Sequence, residues 1–356
     1  MSLLMNYNDP KWIEIAQLVF EEQFKRDPKL NEEMDERRKK LMYDDVVYNI
    51  SFLMTAVYFN DAQIFEGYAK WIYELLCNVM RDIDRNRIMQ QMNDHYRILA
   101  EVFNQKASGY LKPEELVLIQ DFLSRAIKVT QKAITEVPLS SSFIEGEFFD
   151  IRKAYLDALL TGQTKKAQQV IRQAKEQGVS MMQVYEEILT KVMYEIGHLW
   201  HSNYITLDRE HYATSVTQSV LSSFYDEIFE SPRKNKTLLS CAIGSELHEL
   251  GIRMLSDIFE FQGWDTVYLG AALPIKAILN AIEENKPDLV ALSVTMPPYL
   301  SICEQVVVEI KKQHPHLRIA VGGQAFRHTN QLWKKWPVDF YAETASELAK
   351  WAEKTI

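Results

Sequence analysis

The feature that most constrains the fold is a change of sequence period near Thr237. From there on, short apolar runs alternate with amphipathic helical stretches. The apolar runs cover residues 238–243, 266–269, 289–294, 319–321 and 340–342, and helices are predicted to begin near Leu250, Ile275, Ile302 and Gln324. Such alternation is typical of a parallel, doubly wound sheet. Residues 236–356 are therefore predicted to form a Rossmann-like (flavodoxin-like) α/β domain with a parallel sheet.

Small and polar residues follow the predicted strands. Ligands of doubly wound sheets bind in the crevice outside the carboxyl ends of the strands. The residues at these ends are Gly244 to His248, then Gly270-Ala271-Ala272, then Ser293 and Thr295, and finally Gly322-Gly323. The sequence therefore predicts that these loops form a ligand site.

The first part of the chain is predicted to be helical. Residues 1–136 contain long amphipathic stretches with few helix-breaking residues, which indicates an all-α domain. We expect this domain to be a sensor or effector domain, or a dimerisation element. Its lone histidine, His95, lies beside Asp94 and is expected at the protein surface.

A second helical block is predicted over residues 146–231. Apolar residues recur there at helical spacing up to Trp200, and the next helix is predicted to begin after Asp208 as its N-cap. Four helices of this length indicate a four-helix bundle. The chain is therefore expected to be multidomain, with an all-α domain at 1–136, the bundle at 146–231 and the α/β domain at 236–356.

Composition argues against several classes of function. Of the 356 residues, 47% are hydrophobic, yet no apolar run is long enough to span a membrane. The formal net charge of −9 argues against a DNA-binding surface. The scattered cysteines Cys77, Cys241 and Cys303 are typical of reduced thiols in a cytoplasmic protein. Nucleophile, P-loop and paired-carboxylate motifs are lacking, so we expect no catalysis by the chain itself.

One histidine has the setting of a metal ligand. His248 lies five residues past the first predicted strand, and Glu246 could accept the proton of its second ring nitrogen. Such a carboxylate strengthens an imidazole as a ligand. Gly251 would let the backbone pass close to a bulky ligand. Alone, the pattern E-x-H-x-x-G is weak, because a loop histidine without a ligand is the ordinary case.

Together with the later loops, this pattern resembles the cobalamin (B12)-binding domain family. That family carries D-x-H-x-x-G, then S-x-L or S-x-T, then G-G on successive loops. The matching residues here are Glu246, His248 and Gly251, then Ser293 and Thr295, then Gly322 and Gly323. The resemblance implies that His248 is the lower cobalt ligand and that the loops, with Gly270, line the nucleotide tail. Glu246 replaces the usual aspartate, which adds one methylene beside the histidine.

The helical block resembles the cap of B12-dependent light receptors of the CarH type. Those caps carry W-x9-E-H, and this chain has Trp200, nine residues, then Glu210-His211, with His201 directly after the tryptophan. The resemblance implies that Trp200 packs over the upper axial group of the cofactor and that Glu210 and His211 hydrogen-bond it. Light-driven loss of an adenosyl group would then let His201 bind cobalt from above.

The resemblance implies adenosylcobalamin as the cofactor, with methylcobalamin or hydroxocobalamin as other forms. DNA-binding receptors of this group carry an N-terminal winged helix-turn-helix of the MerR type, which residues 1–136 do not show. We therefore expect signalling to a protein partner, as in transcription regulation by an anti-repressor, and a homo-oligomer stays open. Two alternatives also stay open: a corrinoid carrier protein for a methyltransferase, and a light-independent cobalamin sensor.

Overall fold

The computed structural model describes residues 10–136, 142–245 and 247–356. By contacts between residues the chain separates into two compact units. The first unit comprises Met1–Val137, Met296–Ser301 and Arg327–Leu332, and the second comprises Pro138–Thr295, Ile302–Phe326 and Trp333–Ile356. The division into three domains at 1–136, 146–231 and 236–356 stays a prediction. No helix of the described ranges is both long and apolar enough to cross a bilayer.

The first unit is helical, as predicted. Its helices are α1 (Pro10–Arg26), α2 (Leu30–Glu33), α3 (Glu36–Phe59), α4 (Ala62–Val79), α5 (Arg85–Lys106) and α6 (Pro113–Ala133). Aspartates cap three of them: the side chains of Asp35, Asp61 and Asp84 each accept a backbone N–H of the first turn. The prediction that His95 lies at the protein surface is wrong. Its side chain is buried in the core and only 7% exposed.

The second unit begins with a bundle of helices. They are α7 (Phe149–Leu160), α8 (Thr164–Glu176), α9 (Met181–Gln183), a π-helical segment (Val184–Leu189), α10 (Thr190–His201), α11 (Leu207–Ser222) and α12 (Tyr225–Ile228). The helix predicted after Asp208 begins earlier, because Thr206 has the extended backbone of an N-cap. Asp208 therefore lies in the first turn of α11, where a carboxylate interacts favourably with the helix dipole.

The same unit contains the predicted parallel sheet. Its strands are β1 (Thr237–Ala242), β2 (Asp265–Tyr268), β3 (Leu289–Ser293), β4 (Arg318–Gly322) and β5 (Phe340–Ala342), in the order β2-β1-β3-β4-β5. The connecting helices are α13 (Leu250–Phe261), α14 (Ile275–Asn285) and α15 (Leu300–Gln313), and α16 (Ala345–Thr355) follows β5. This is the flavodoxin-like order, whose switch point lies between β1 and β3. The α/β fold class is thus confirmed.

The helix predicted to begin at Gln324 is wrong. Two short 3₁₀ turns occupy this stretch, Gln324–His328 and Leu332–Lys335. Between them the backbone N–H of Asn330 donates to Oδ2 of Asp61, within the first unit. Pro337 follows and lacks the N–H that a continuing helix requires. The tertiary hydrogen bond and the proline therefore favour two short turns over a continuous helix in this stretch.

Candidate functional site

The two faces of the sheet differ in side-chain size near the carboxyl ends of the strands. On one face, the strand register aligns Ser240 with Ala291 and Ala320 on the three central strands, flanked by Tyr268 and Phe340 on the two edge strands. The next row towards the carboxyl ends contains only small residues: Ala242, Ser293, Gly322 and Ala342. The opposite face carries large residues such as Leu239, Val290 and Ile319. The small face packs against α13 and α16. A narrow ligand group that enters over the three central strands would meet only small side chains near their carboxyl ends, since Tyr268 and Phe340 lie on the edge strands.

A buried polar atom on this face supports the presence of a polar ligand. Ser240 is fully buried, and its Oγ has no hydrogen-bond partner among the residues that the structure describes. Buried hydroxyls are normally hydrogen-bonded, so an atom of this kind calls for an explanation such as a ligand or a water molecule. The sequence prediction named Ser293 and Gly322 but missed the other small residues of this face, which are Ser240, Ala242, Ala291, Ala320 and Ala342. Small residues at every second position of three strands were the available signal.

The loop after β4 requires glycine at two successive positions. A Cβ atom on Gly322 would lie 2.7 Å from the carbonyl oxygen of Ala342, and one on Gly323 would lie 2.3 Å from that of Val294. Gly323 also has a φ of +101°, which side chains disfavour. Hydrogen bonds from the Val294 N–H to Gly322 and from the Ala325 N–H to Val294 join this loop to the loop after β3. Ser293, Gly322 and Gly323 are therefore neighbours, and their role in binding a ligand stays a prediction.

The loops after β1 and β2 meet at the same edge. The N–H of Ala272 donates to the carbonyl of Gly244, and that of Ala242 donates to the carbonyl of Gly270. The side chain of His248 is exposed at this edge, directly before α13. Glu246 lies outside the described residues. Gly251 lies in the first turn of α13, where an added Cβ would meet no atom within 4 Å.

The predicted cap residues lie together at one end of the α10–α11 hairpin. Trp200 and His201 are half-buried in the last turn of α10, and five residues separate them from α11. Glu210 and His211 lie in the first turns of α11, where Glu210 Oε2 is 2.5 Å from Nδ1 of His211. Thr214 donates to the other oxygen of Glu210. The carboxylate therefore orients the imidazole, and the hairpin presents one aromatic and several polar groups at this end.

Within the second unit, hydrogen bonds join the helical bundle, α7 to α12, to the α/β part, which comprises the sheet and helices α13 to α16. The hydroxyl of Tyr185 donates to Oδ2 of Asp257 over 3.2 Å, and Arg253 donates to Ser222 and Tyr225. Burial raises the pKa of Asp257 to about 6, although the charge of Arg253 opposes the shift. The sequence prediction missed this set because 72 residues separate Tyr185 from Asp257, and no local pattern marks such a contact.

Comparison with known proteins agrees with this geometry. Residues 237–349 match the family model of the B12 binding domain, and residues 151–224 match a second B12 binding domain model. The chain is a cobalamin-binding protein. The first match covers the sheet with its loops, and the second covers the helices from α7 to α11.

Two kinds of protein are found among the curated relatives of this cobalamin-binding protein. The HTH-type transcriptional repressor CarA of Myxococcus xanthus is 29% identical over 141 residues, which are 39% of this chain and 48% of CarA. The match thus spans about half the length of CarA. Trimethylamine corrinoid protein 1 of Methanosarcina acetivorans is 23% identical over 198 residues, which are 54% of this chain and 90% of that protein.

A solved structure shows the same fold. The monomethylamine corrinoid protein of Methanosarcina barkeri aligns with a TM-score of 0.53 and 15% sequence identity. The alignment covers 59% of this chain and all of that protein. This likeness supports the arrangement of a helical bundle followed by a Rossmann-like sheet.

Proposed function

We propose that this protein is a light-responsive regulator that binds adenosylcobalamin and signals to a protein partner. The observation that carries the proposal is the α10–α11 hairpin, which collects Trp200, His201, Glu210 and His211 at one end. A methyl group is too small to need such a set of groups. Adenosylcobalamin, when bound, supplies a cobalt–carbon bond that visible light cleaves.

On the lower side, His248 would serve as the cobalt ligand. Its exposed imidazole lies at the carboxyl edge of the sheet, next to the switch point between β1 and β3. The small-residue face, the orphaned Oγ of Ser240 and the glycines of the β4 loop fit a nucleotide tail that passes close to the backbone. Glu246 would hold the second ring nitrogen of His248, and Thr295 and Gly270 would line the tail.

On the upper side of the cofactor, each residue of the hairpin set would have a separate role. Trp200 would fill the space over the upper axial group and exclude water from it. Glu210 and His211 would hydrogen-bond the ribose or the adenine, and the contact between Glu210 and His211 keeps both groups oriented. Once the adenosyl group has left, His201 would ligate cobalt and carry the end of α10 with it. A ligand exchange of this kind is a local packing change that can move a domain.

The output would pass through the N-terminal helices rather than through DNA. The net charge of −9 supports this view, since phosphate contacts rest on clustered lysine and arginine. We propose a cytoplasmic protein partner, in the manner of an anti-repressor, and no catalysis by the chain itself. Light-scattering mass measurements in the dark and after illumination test whether the protein forms homo-oligomers.

A corrinoid carrier for a methyltransferase is the second candidate. Its support is the match to trimethylamine corrinoid protein 1, which extends over 90% of that protein. The carrier would need His248 and the tail face, but not the hairpin residues. A light-independent cobalamin sensor would use the same residues as the light receptor without the ligand exchange.

One spectroscopic experiment separates these functions. The protein is loaded with adenosylcobalamin in darkness and then illuminated. We expect the absorption spectrum to change to that of stable bis-histidine ligation, and His201→Ala to abolish that product. His198→Ala is the matched control, since this exposed histidine lies one turn earlier on α10 and should leave the product intact.

Other outcomes contradict the proposal in different ways. An unchanged product spectrum in His201→Ala refutes the role given to His201. Binding of methylcobalamin without binding of adenosylcobalamin favours the carrier. Tight binding of adenosylcobalamin without a light-driven product favours the light-independent sensor.

A further inference from the structure

We infer that Tyr185 and Glu186, on the π-helical segment Val184–Leu189, are positioning residues that direct His201 to the cobalt. This inference rests on the proposed function. The two side chains tie the helix that ends in Trp200-His201 to α13 and α16 of the α/β part. Neither residue belongs to the hairpin motif or to the loops of the sheet.

The first tie reaches α13. Tyr185 is fully buried, and its hydroxyl donates to Oδ2 of Asp257, which is itself 7% exposed. Because α13 begins two residues after His248, the tie joins the cap helix to the element that follows the lower ligand. A hydrogen bond to a buried carboxylate is stronger than one between neutral groups.

The second tie reaches the start of α16. Oε1 of Glu186 accepts the backbone N–H of Ser346, and Oε2 accepts the hydroxyl of Ser346 over 2.5 Å. Ser346 lies in the first turn of α16, where a carboxylate is favoured by the orphan N–H groups and the helix dipole. Two adjacent residues therefore bind two different helices of the α/β part, which fixes the direction of their segment as well as its position.

The π-helical geometry of this segment also affects the direction of the side chains that follow it. Each turn of a π-helix holds an additional residue compared with an α-helix, and such segments occur frequently at functional sites. Thr190 donates from Oγ1 to the carbonyl of Tyr185 over 2.8 Å, one residue further back than the usual acceptor. An extra residue rotates all later side chains by about 100° about the helix axis.

No break separates the segment from the hairpin residues. The π-helical segment ends at Leu189, and α10 continues from Thr190 to His201. The buried side chains of Ile188, Val192 and Ile196 keep this stretch packed in the bundle core. The direction in which His201 leaves the helix axis is therefore set by the continuous helix 184–201. That helix is tied to α13 and α16 at its beginning and carries His201 at its end.

The test compares two tyrosine variants. Tyr185→Phe removes the hydroxyl that reaches α13, whereas Tyr155→Phe removes an equally buried hydroxyl that bonds Thr217 inside the bundle, 3.0 Å away. Both are made in the full chain and loaded with adenosylcobalamin in darkness. After a light pulse, the rise of the bis-histidine absorption gives the rate constant for ligation by His201.

We expect ligation to slow about tenfold in Tyr185→Phe and further in the double variant with Glu186→Gln. Tyr155→Phe should stay within twofold of the wild type, and dark binding of adenosylcobalamin should persist in all variants. Equal ligation rates in Tyr185→Phe and Tyr155→Phe overturn the inference. A purely structural role would affect both tyrosine variants alike, so the comparison isolates positioning.

A dark measurement separates failure of the inference from failure of the proposed function. Should the wild type form no bis-histidine product, the light-receptor proposal fails. Amide hydrogen exchange of α10 in the cobalamin-loaded protein then tests the ties alone. Faster exchange in Tyr185→Phe than in Tyr155→Phe supports them, and equal exchange refutes them.

Discussion

Replacement of Gly323 by alanine should destabilise the second unit through two separable effects. The first is conformational, because φ is +101° at this position and a side chain there costs about 1–2 kcal/mol. The second is steric, because the new Cβ would lie 2.3 Å from the carbonyl oxygen and 2.8 Å from the nitrogen of Val294. Both distances are far inside van der Waals contact, so the two loops must move apart.

The free-energy cost of the steric effect can be estimated from the hydrogen bonds that join the loops after β3 and β4. Separation breaks the bond from the Val294 N–H to Gly322 and the bond from the Ala325 N–H to the Val294 carbonyl. Each contributes about 1 kcal/mol to the free energy of unfolding. The total loss for Gly323→Ala should therefore be about 3–4 kcal/mol.

Gly178→Ala is the matched control for the conformational effect. Gly178 lies in the same unit with a φ of +90°, and a Cβ there would meet no atom within 4 Å. It should cost only about 1–2 kcal/mol. Urea unfolding followed by circular dichroism measures both variants, and equilibrium dialysis measures their affinity for hydroxocobalamin.

The difference between the two variants is the decisive quantity. We expect Gly323→Ala to lose about 2 kcal/mol more than Gly178→Ala and to bind hydroxocobalamin more weakly, while Gly178→Ala binds normally. Equal losses of unfolding free energy would refute the steric argument. Normal cobalamin binding by a destabilised Gly323→Ala protein would show that this loop does not border the cofactor.

Three further predictions test other parts of the molecule. The Cβ added by Gly251→Ala meets open space in α13, so the variant should raise the unfolding free energy by about 0.5–1 kcal/mol. The same variant should weaken cofactor binding and raise the Kd for hydroxocobalamin at least tenfold in dialysis. An unchanged Kd would show that the cofactor does not approach this glycine. Burial lowers the pKa of His95 to about 4, below the 6.5 of an exposed histidine. The stabilisation of the folded state by the neutral His95 is therefore fully present above pH 6.5 and is lost as the pH falls towards 4. His95→Gln should therefore remove about 3 kcal/mol of pH dependence from the unfolding free energy in this window, and parallel pH profiles of variant and wild type would contradict the assignment. Arg152 is fully buried and donates to the carbonyls of Phe143, Glu145 and Glu187. Arg152→Met should cost about 3–5 kcal/mol in urea unfolding, because each buried or partly buried carbonyl that loses its donor costs about 1–3 kcal/mol, against less than about 0.5 kcal/mol for the exposed Arg172→Met; similar losses would refute the role of the three carbonyls.

The sequence predicted the sheet well because strand patterns are local. Apolar runs bounded by turn residues located every strand to within about one residue at each end, and β5 agrees at both ends. Helices α13 and α14 begin at the predicted Leu250 and Ile275. The parallel order followed from the alternation of strands and helices, since parallel strands need crossover connections.

Local patterns were insufficient where distant residues decide the conformation. The stretch after β4 is not a helix, because Asp61 binds the Asn330 N–H across 269 residues of sequence. The spacing of Val184, Ile188 and Val192 predicted an ordinary helix, yet residues 184–189 are π-helical. His95 was expected at the surface because polar residues usually lie there, but helices of the first unit bury it.

The amino-acid sequence alone was enough to select the candidate residues for binding cobalamin. The resemblance of their motifs to the cobalamin-binding family and to CarH-type caps marked His248, the glycines of the β4 loop and the W-x9-E-H set. Local periodicity placed these residues at or near the ends of strands and helices. Which of these groups become neighbours depends on the tertiary fold. Strand register assembled the small-residue face, and hydrogen bonds across 72 and 160 residues tied Tyr185 and Glu186 to α13 and α16. Such contacts form between segments that only folding brings together, so no local pattern predicts them.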